Sequence, residues 1–258
     1  MKVKIGMIQS LVEFDKPEEN LDRAKALVAE AVKEGAQICV LPECGDLGWG
    51  NDRAKELGHP IPGAGSDRLC ALAKEFGVYL AAGLTEVEAG NAYNAAILIS
   101  DAGEILLKHR KISTLRDVEG VYDIGTSLTA VDTPFGRIAI TICADNAGAS
   151  VCLGHALGRM GTQLLLSPCS WAMPPEELEA PYGATWKKPY GELSAQYGMP
   201  VIGVSNVGTV ARGPWANWGV IGHSIAYDSN GECLIEMPHG VDQECYRVVE
   251  VEIRKSKY

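Results

Sequence analysis

Three stretches of the sequence place a chemically reactive side chain directly after an apolar run. Cys143 follows the apolar residues 138–142, Glu43 follows residues 37–41 and a proline, and Lys111 ends a run of three cations. A thiol nucleophile, a carboxylate base and a cation that holds an oxyanion are the groups that acyl transfer through a covalent intermediate requires. If the apolar runs are strands of one sheet, the three groups can meet on one rim.

Each of these residues also has an ordinary structural explanation. Cysteine is usually a small buried hydrophobic residue, and Cys44 and Cys169 also sit at the ends of apolar runs. A glutamate after a strand often orders a loop, and three consecutive cations usually form a solvated surface. The functional interpretation of Glu43 requires burial, because desolvation raises the pKa of a carboxyl group toward a value useful for proton transfer. The spacing of the cysteines alone does not identify which of them is the nucleophile.

The composition excludes several classes of protein. Of the 258 residues 47% are hydrophobic, which is enough for a large aliphatic core. The formal net charge is −10, and no run of Lys or Arg is present, which argues against a nucleic-acid partner. No apolar run approaches the roughly 20 residues of a membrane helix, and residues 1–10 lack a signal-peptide core. We therefore expect a cytoplasmic protein without a membrane partner.

Other catalytic motifs fit the sequence poorly. The eight cysteines are scattered without a Cys-x-x-Cys pair, which indicates reduced thiols rather than a disulfide framework. The five histidines lack His-x-x-x-His spacing, so no zinc site is predicted. Residues 222–226 half resemble a serine nucleophile elbow, but the final glycine is missing and a strand follows. No glycine-rich nucleotide motif occurs.

Alternating strand and helix patterns recur in two halves of the chain. The first half predicts a strand at 3–9, a helix ending near residue 35, a strand at 38–41, a helix at 66–76, a strand at 78–84 and a hairpin of 94–100 with 104–108. The second half predicts a hairpin turning at 134–136, a strand at 137–142, a helix at 149–160, a strand at 163–167, a helix around 176–196, a strand at 201–205, a hairpin of 224–227 with 233–236, and a last strand at 246–253.

This order predicts an α/β protein in which sheets carry helices on their outer sides. No linker or change of composition divides the chain, so we expect residues 1–258 to form a single domain with an internal two-fold pseudo-repeat. Ligands of such sheets bind beyond the carboxyl ends of the strands, where Glu43 and Cys143 are expected to lie.

Taken together, three stretches in this order resemble the nitrilase superfamily of carbon–nitrogen hydrolases. They are Leu-Pro-Glu at 41–43, His-Arg-Lys-Ile at 109–112 and Ile-Thr-Ile-Cys at 140–143. The strand at 7–9, the hairpin at 133–136, Ser-Asn-Val-Gly at 205–208 and Gly-His-Ser at 222–224 extend the resemblance along nearly the whole chain.

The resemblance implies a four-layer αββα sandwich and a catalytic triad of Glu43, Lys111 and Cys143. Glu43 would take the thiol proton, Cys143 would attack the amide or nitrile carbon, and water would then hydrolyse the thioester. Lys111 and the backbone N–H of Ala144 would hold the oxyanion. Glu119 matches a second glutamate that orders the lysine and the substrate, and Trp171 resembles a position that lines the pocket.

The family resemblance further implies a small-molecule amide substrate, no cofactor, and a homodimer or higher homo-oligomer. Two alternatives remain open. One is an acyltransferase that uses the same triad and passes the acyl group to an acceptor other than water. The other is a non-catalytic scaffold that keeps the fold.

The sequence also departs from the family pattern. Ala144 occupies a position that is acidic or aromatic in many members, and no Pro-Glu pair follows it. These differences leave the substrate undefined, although Arg116, His155 and Arg159 are candidates for binding a substrate carboxylate. We also expect Cys143 to be the most readily alkylated cysteine, because Lys111 should favour its thiolate.

Overall fold

The computed structural model describes residues 1–178 and 182–258. Its helices are α1 (Pro17–Lys33), α2 (Ala54–Leu57), α3 (Ala64–Phe76), α4 (Arg116–Glu119), α5 (Val151–Arg159) and α6 (Ala184–Tyr197). Its strands are β1 (Lys2–Gln9), β2 (Ile38–Val40), β3 (Tyr79–Glu88), β4 (Asn91–Ile99), β5 (Ile105–Arg110), β6 (Ala130–Thr133), β7 (Gly136–Ile140), β8 (Leu164–Cys169), β9 (Ala172–Met173), β10 (Val201–Ser205), β11 (Val207–Thr209), β12 (Gly219–Ile221), β13 (Ile225–Tyr227), β14 (Cys233–Glu236) and β15 (Cys245–Glu252).

Two six-stranded sheets share one topology, which confirms the predicted pseudo-repeat. The first has the order β15-β1-β2-β3-β4-β5, and the second, written from its opposite edge, has the order β6-β7-β8-β10-β13-β14. In each sheet the three parallel strands lie second to fourth, an antiparallel strand lies on one side, and an antiparallel hairpin lies on the other. The last strand of the chain completes the first sheet.

The alternation of side chains along each strand builds the layers. In β3, Tyr79 and Ala81 belong to the core that also contains the second sheet, whereas Leu80 and Ala82 face a second core under α1 and α3. Successive side chains of a strand point to opposite faces, so a strand that is apolar on both faces must be covered on both. The two sheets therefore pack face to face with helices outside, as the αββα expectation requires.

The outer helices present one apolar face each. Ala24, Val28 and Ala31 of α1 are buried at helical spacing against the first sheet. Trp186, Tyr190 and Leu193 of α6 are buried in the core of the second sheet. In the described ranges we find no helix long and apolar enough to cross a lipid bilayer.

The structure differs from the sequence prediction at several boundaries. The helix predicted around 176–196 begins at Ala184, after a short 3-10 turn at Pro175–Glu177, and residues 179–181 of that prediction lie outside the described residues. Gly183, which precedes α6, has a φ of 104°, a non-helical conformation that fixes this start. The strand predicted at 137–142 ends at Ile140, and a 3-10 turn, Cys143–Asn146, follows.

A third, small sheet was not predicted. It has the order β11-β12-β9 and joins segments from three separate parts of the second half. Its strands are two or three residues long. Strands this short show no measurable alternation of apolar and polar residues, so the sequence offers no periodic signal for them.

Candidate active site

Glu43 lies where the two sheets meet, three residues beyond the end of β2. Its backbone N–H donates to the carbonyl oxygen of Cys169 at the end of β8, 3.2 Å away across the sandwich. Gly83 on the neighbouring strand permits this position, because a Cβ there would lie 2.5 Å from the Glu43 Cα. Cys44, which follows, has a φ of 44°. The chain turns sharply here and leaves the Glu43 side chain fully buried.

Lys111 and His109 both point inward from their run of three cations, and Lys111 is the one that reaches Glu43. It follows β5, is fully buried, and its Nζ lies 2.8 Å from Glu43 Oε1 and 2.8 Å from Glu119 Oε1. Arg110 points the other way and binds the carboxylates of Glu86 and Glu88. Strand alternation separates these two neighbouring cations, so only one of them enters the site.

Glu119 is held by five donated hydrogen bonds. Its Oε1 accepts from Lys111 Nζ, from Trp49 Nε1 at 2.9 Å and from Asn94 Nδ2 at 2.9 Å. Its Oε2 accepts from Lys111 Nζ at 2.9 Å and from the backbone N–H of Leu115 at 2.7 Å. The two oxygens of Glu119 thus accept every one of these bonds, and Glu119 fixes the Lys111 ammonium in place.

Cys143 stands at a strained bend between β7 and the turn that follows it. Its φ is 45°, a left-handed conformation that few residues with a side chain adopt, and its exposed fraction is 2%. Backbone strain of this kind is concentrated at functional sites. The bend therefore distinguishes Cys143 from Cys169, which lies within a regular strand.

Asp145 joins the Cys143 turn to the segment that carries Lys111. Its carboxylate accepts hydrogen bonds from the backbone N–H groups of Ile142, Ile112 and Ser113, at 2.8–3.1 Å. The ring Nε2 of His109 lies 2.8 Å from Asp145 Oδ2. All of the side-chain atoms involved are buried, so this carboxylate sets the separation between two proposed catalytic residues.

The electrostatics of the site favour proton transfer at Glu43. Complete burial raises the pKa of Glu43 to about 7, with Lys111 lowering it and the neighbouring Glu119 raising it. Burial disfavours the charged form of Lys111, but Glu119 and Glu43 outweigh that effect and raise the pKa of Lys111 well above its usual value. The pKa of Glu43 therefore lies near neutral pH, and the neighbouring Lys111 ammonium stays charged.

Burial is the main influence on the Cys143 thiol. Burial raises the pKa of Cys143 well above its usual value, and a hydrogen bond with Cys169 and the charge of Glu43 raise it further, while Lys111 lowers it. Lys111 does favour the thiolate, as expected, but burial outweighs it, and which cysteine is alkylated first stays a prediction. The resting nucleophile is a neutral thiol, and it needs a base to become reactive.

Ala144 and Trp171 lie in the same apolar core as Cys143. Ala144 follows the nucleophile in the 3-10 turn and is buried, and Trp171 is 1% exposed. The Trp171 ring stacks on Trp186, with 5.5 Å between centroids, and Tyr190 lies 6.5 Å from it. Trp171 therefore belongs to an aromatic cluster in the core that also contains Cys143, and its role in lining the substrate pocket stays a prediction.

The three candidates for binding a carboxylate do not gather at the site. His155 Nδ1 lies 3.0 Å from the hydroxyl of Tyr197, and the Arg159 guanidinium stacks over the ring of Tyr258, near the end of the chain. Arg116 is exposed on α4, three residues before Glu119. Of the three, only Arg116 is on an element that carries a site residue.

Asn94, Trp49 and Asp145 are site residues that sequence reasoning missed. Asn94 lies opposite Lys111, whose backbone N–H donates to the Asn94 carbonyl, and its amide donates to Glu43 Oε1 at 2.6 Å. A lone asparagine within the apolar run 94–100 was the available signal. Trp49 comes from a loop rich in Gly and Asp, where no periodicity indicates a direction. For Asp145, only its position two residues after the cysteine pointed to the site.

Comparison with known proteins gives the same family as the motifs. The family model described as carbon–nitrogen hydrolase matches residues 5–257. The chain is 35% identical over 182 residues to the omega-amidase NIT2 of Xenopus tropicalis, a match covering 67% of this chain and 65% of that protein. It is 32% identical over 243 residues to the omega-amidase NIT2 of Bos taurus, covering 90% of this chain and 83% of that protein.

Solved structures show the same fold at lower identity. A carbon–nitrogen hydrolase from Helicobacter pylori G27 superposes with a TM-score of 0.84 at 19% identity, covering 98% of this chain and 90% of that one. Saccharomyces cerevisiae Nit3, a member of the nitrilase superfamily, gives a TM-score of 0.82 at 22% identity. The match covers 96% of this chain and 89% of that one. The resemblance to the nitrilase superfamily and the αββα fold class are thereby confirmed. The chain belongs to the carbon–nitrogen hydrolase family.

Proposed function

We propose that this protein is a thiol-dependent amidohydrolase that cleaves the non-peptide C–N bond of a small linear amide through a cysteine thioester. Glu43, Lys111 and Cys143 are the proposed catalytic residues. The observation that carries the proposal is the buried contact between Lys111 and Glu43, beside a neutral buried thiol. A scaffold has no physical reason to bury this charge cluster, which costs desolvation energy.

In the first half of the proposed reaction, Glu43 accepts the proton of the Cys143 thiol as sulfur attacks the amide carbon. The carbonyl oxygen becomes an oxyanion, which the Lys111 ammonium and the Ala144 backbone N–H stabilise. The C–N bond then breaks, and the leaving nitrogen takes the proton from Glu43. Ammonia or an amine departs, and the acyl group remains on sulfur as a thioester.

In the second half, Glu43 accepts a proton from water as the water oxygen attacks the thioester carbon. The same two donors hold the second oxyanion, the C–S bond breaks, and Glu43 returns the proton to sulfur. The sum is amide plus water giving carboxylic acid plus ammonia or amine, with the protein unchanged. Glu119 and Asn94 position Lys111 and Glu43 throughout.

The amidase assignment has support from the relatives as well as from the site. The relatives named above are omega-amidases, although the match with the Xenopus protein spans only 65% of its length. A glutamate-to-glutamine mutant of an amidase from Nesterenkonia sp. AN1, similar in fold, carries the acetamide moiety of fluoroacetamide on its active-site cysteine. Neither comparison assigns a substrate to this chain, and the catalytic residues rest on the geometry described above.

The test is ammonia release from a panel of small amides, omega-amides, N-carbamoyl amino acids and nitriles, with Cys143→Ser alongside. We expect release by the parent protein and loss of at least 1000-fold in the variant, because the alkoxide of serine is far harder to form than a thiolate. Mass spectrometry of a rapidly quenched reaction should show the acyl group on the peptide that contains Cys143. Equal release by parent and variant would refute the proposal.

The two alternatives predict different results in the same experiment. An acyltransferase would release ammonia faster when an amine or hydroxylamine acceptor is added, with acylated acceptor replacing the free acid. A non-catalytic scaffold would release none from any substrate while remaining folded by circular dichroism. The intact charge cluster around Lys111 favours hydrolysis over the scaffold role.

We further propose a single carbon–nitrogen hydrolase domain over residues 1–258, a cytoplasmic location, no cofactor, and a homodimer or higher homo-oligomer. The continuous core that spans both sheets supports the single domain. The negative net charge supports the absence of a nucleic-acid partner. The oligomer rests on family resemblance.

A further inference from the structure

Asn94 is a buried polar side chain directly before the apolar run 95–99 of β4. It is 1% exposed, and Ala95 and Ala96 after it are fully buried. Because successive side chains alternate across a strand, Asn94 shares a face with Ala96 and Leu98. Those two residues belong to the core that also contains Cys143, and β4 contacts β7, the strand that leads to Cys143. The Asn94 side chain therefore points into the space between the two sheets, on the side of the proposed nucleophile.

The hydrogen bonds of Asn94 determine which way its amide group is turned. Its Nδ2 lies 2.6 Å from Glu43 Oε1 and 2.9 Å from Glu119 Oε1. Each of these two oxygens also accepts a hydrogen bond from Lys111 Nζ. The end of the amide that faces them must therefore be the NH2 donor. The amide oxygen, Oδ1, points away from both carboxylates.

Two oxygens of this cluster are buried and have no hydrogen-bond partner among the described residues. They are Asn94 Oδ1 and Glu43 Oε2. The two groups that carry them adjoin each other, because the 2.6 Å hydrogen bond joins Asn94 Nδ2 to Glu43 Oε1. Buried polar atoms are nearly always paired in native proteins. Two free acceptors on adjoining groups therefore suit a polar group of a bound molecule that carries hydrogens.

The proposed reaction places such a group beside Glu43 twice. In the first half the leaving nitrogen takes a proton from Glu43, and in the second half water gives a proton to Glu43. The nitrogen of a primary amide brings hydrogens of its own, and water keeps one hydrogen after the transfer. A hydrogen left without an acceptor in a buried site costs free energy. Asn94 Oδ1 is the free acceptor on the group next to Glu43.

We propose that Asn94 is a catalytic residue whose Oδ1 accepts a hydrogen bond from the scissile amide nitrogen and afterwards from the attacking water. This inference rests on the proposed amidohydrolase function and specifies how its leaving group and its water are held. Asn94 takes no proton in either half, because the N–H and O–H bonds that it accepts stay intact and Glu43 carries the transferred proton. An ester has no hydrogen on its leaving oxygen, so this contact favours amides over esters.

The test compares a primary amide with the methyl ester of the same acid, because only the amide has hydrogens on its leaving atom. The probes are propionamide and methyl propionate, or the same two derivatives of the acid that the ammonia-release panel identifies. We expect Asn94→Ala to lower kcat/KM for the amide about tenfold more than kcat/KM for the ester. If both values fall by the same factor, Asn94 acts only by positioning Glu43, and the inference is overturned.

The second half of the reaction is tested with the ester alone, at a concentration below its KM. Loss of the acceptor for water should raise the steady-state amount of thioester on Cys143 at least threefold in Asn94→Ala. Mass spectrometry after rapid quenching measures this amount. A variant that disturbs only Glu43 would slow both halves alike and leave the amount unchanged, which would contradict the inference.

Asn91→Ala is the matched control, because Asn91 is an exposed residue of the same strand. It should change neither the ratio of amide to ester hydrolysis nor the amount of thioester. Asn94→Ser provides the same comparisons if circular dichroism shows that Asn94→Ala does not fold. A parent protein that hydrolyses neither probe would refute the proposed function itself. Hydrolysis of both probes, with an unchanged ratio in the Asn94 variants, would refute this inference alone.

Discussion

Glu43 contacts Lys111 through one carboxylate oxygen only. Its Oε1 lies 2.8 Å from Lys111 Nζ and also accepts from Asn94, whereas its Oε2 is buried with no hydrogen-bond partner among the described residues. A buried carboxylate oxygen without a donor is unusual, because desolvation of such an atom costs free energy. This oxygen is the one expected to receive the thiol proton.

Amide hydrolysis should depend on a single ionisation near pH 7. Glu43 must be a carboxylate to accept the thiol proton, and burial raises its pKa to about 7. The kcat/KM should therefore fall about tenfold per unit as pH drops below that value, and should level off above it. A profile from pH 5 to pH 9 measures this. If kcat/KM instead fell with a midpoint near the ordinary pKa of glutamate, Glu43 would not be the base.

Removing the Glu43 charge should stabilise the fold while abolishing activity. The pKa of Glu43 is raised in the folded state, so the folded state prefers the protonated acid and stability is lost as pH rises from about 4.5 toward 7. Glu43→Gln should therefore raise the free energy of unfolding at pH 8 by about 1–3 kcal/mol, and by little near pH 4. Urea unfolding at both pH values checks this.

Glu119→Gln is the matched control for that experiment and should act in the opposite direction. Both oxygens of Glu119 accept hydrogen bonds, so an amide nitrogen would face N–H donors at one of them. We expect a loss of about 2–4 kcal/mol in unfolding free energy. Equal effects of the two substitutions would show that the charges of the cluster are not arranged as described.

Asp145→Asn should weaken catalysis without touching the reacting atoms. The carboxylate accepts from three backbone N–H groups that belong to the Cys143 and Lys111 segments. Charge-assisted bonds of this kind are strong, so we expect a loss of about 2–4 kcal/mol in stability and a tenfold to hundredfold lower kcat. KM should change less. His109→Gln removes one partner only and should have a smaller effect on both quantities.

Alkylation of Cys143 should depend on Glu43 rather than on Lys111 alone. Because burial raises the thiol pKa, a base is required to form the thiolate. Glu43→Gln should slow the modification of Cys143 by iodoacetamide at least tenfold, with exposed Cys152 as an internal control that reacts unchanged. Peptide mapping over time measures both rates. Unchanged or faster modification in the variant would show that Glu43 does not take the proton of the Cys143 thiol.

The assembly prediction is independent of the chemistry. Family resemblance implies a homodimer or a larger homo-oligomer. Light scattering at micromolar concentration should give a mass of at least twice the 27.6 kDa of one chain. A single species of monomer mass would contradict it.

Sequence patterns predicted the positions of Glu43, Lys111 and Cys143 because a strand end determines each one, and their catalytic roles stay predictions. Glu43 and Cys143 follow strands whose apolar runs are unambiguous, and Lys111 is separated from Arg110 by the two-residue alternation of β5. The partners that complete the site come from other elements. Trp49 and Asn94 reach Glu119 and Glu43 only after the loop and β4 have packed, and no local pattern encodes those distances.

Local patterns also failed at very short strands and at the start of one helix. The strands of the small sheet have three residues or fewer, and α6 begins only after Gly183 takes a non-helical conformation. In contrast, β10 matches its predicted bounds, because a five-residue apolar run between turn residues has one simple interpretation. The character of the Cys143 thiol could not be predicted, since it depends on burial by both sheets.

The position of β15 has a consequence for folding order. This strand pairs with β1 along its whole length, from Lys2 opposite Glu252 to Gln9 opposite Cys245. The first sheet therefore cannot be completed until the last strand has left the ribosome, although every other strand of that sheet is made much earlier. Until then one edge of β1 has unpaired backbone groups, which are a template for pairing with other chains. Pairing strands from distant parts of the chain is slow, and the partly folded protein can aggregate meanwhile. The yield of native protein should therefore depend on how well the free edge of β1 is protected during synthesis.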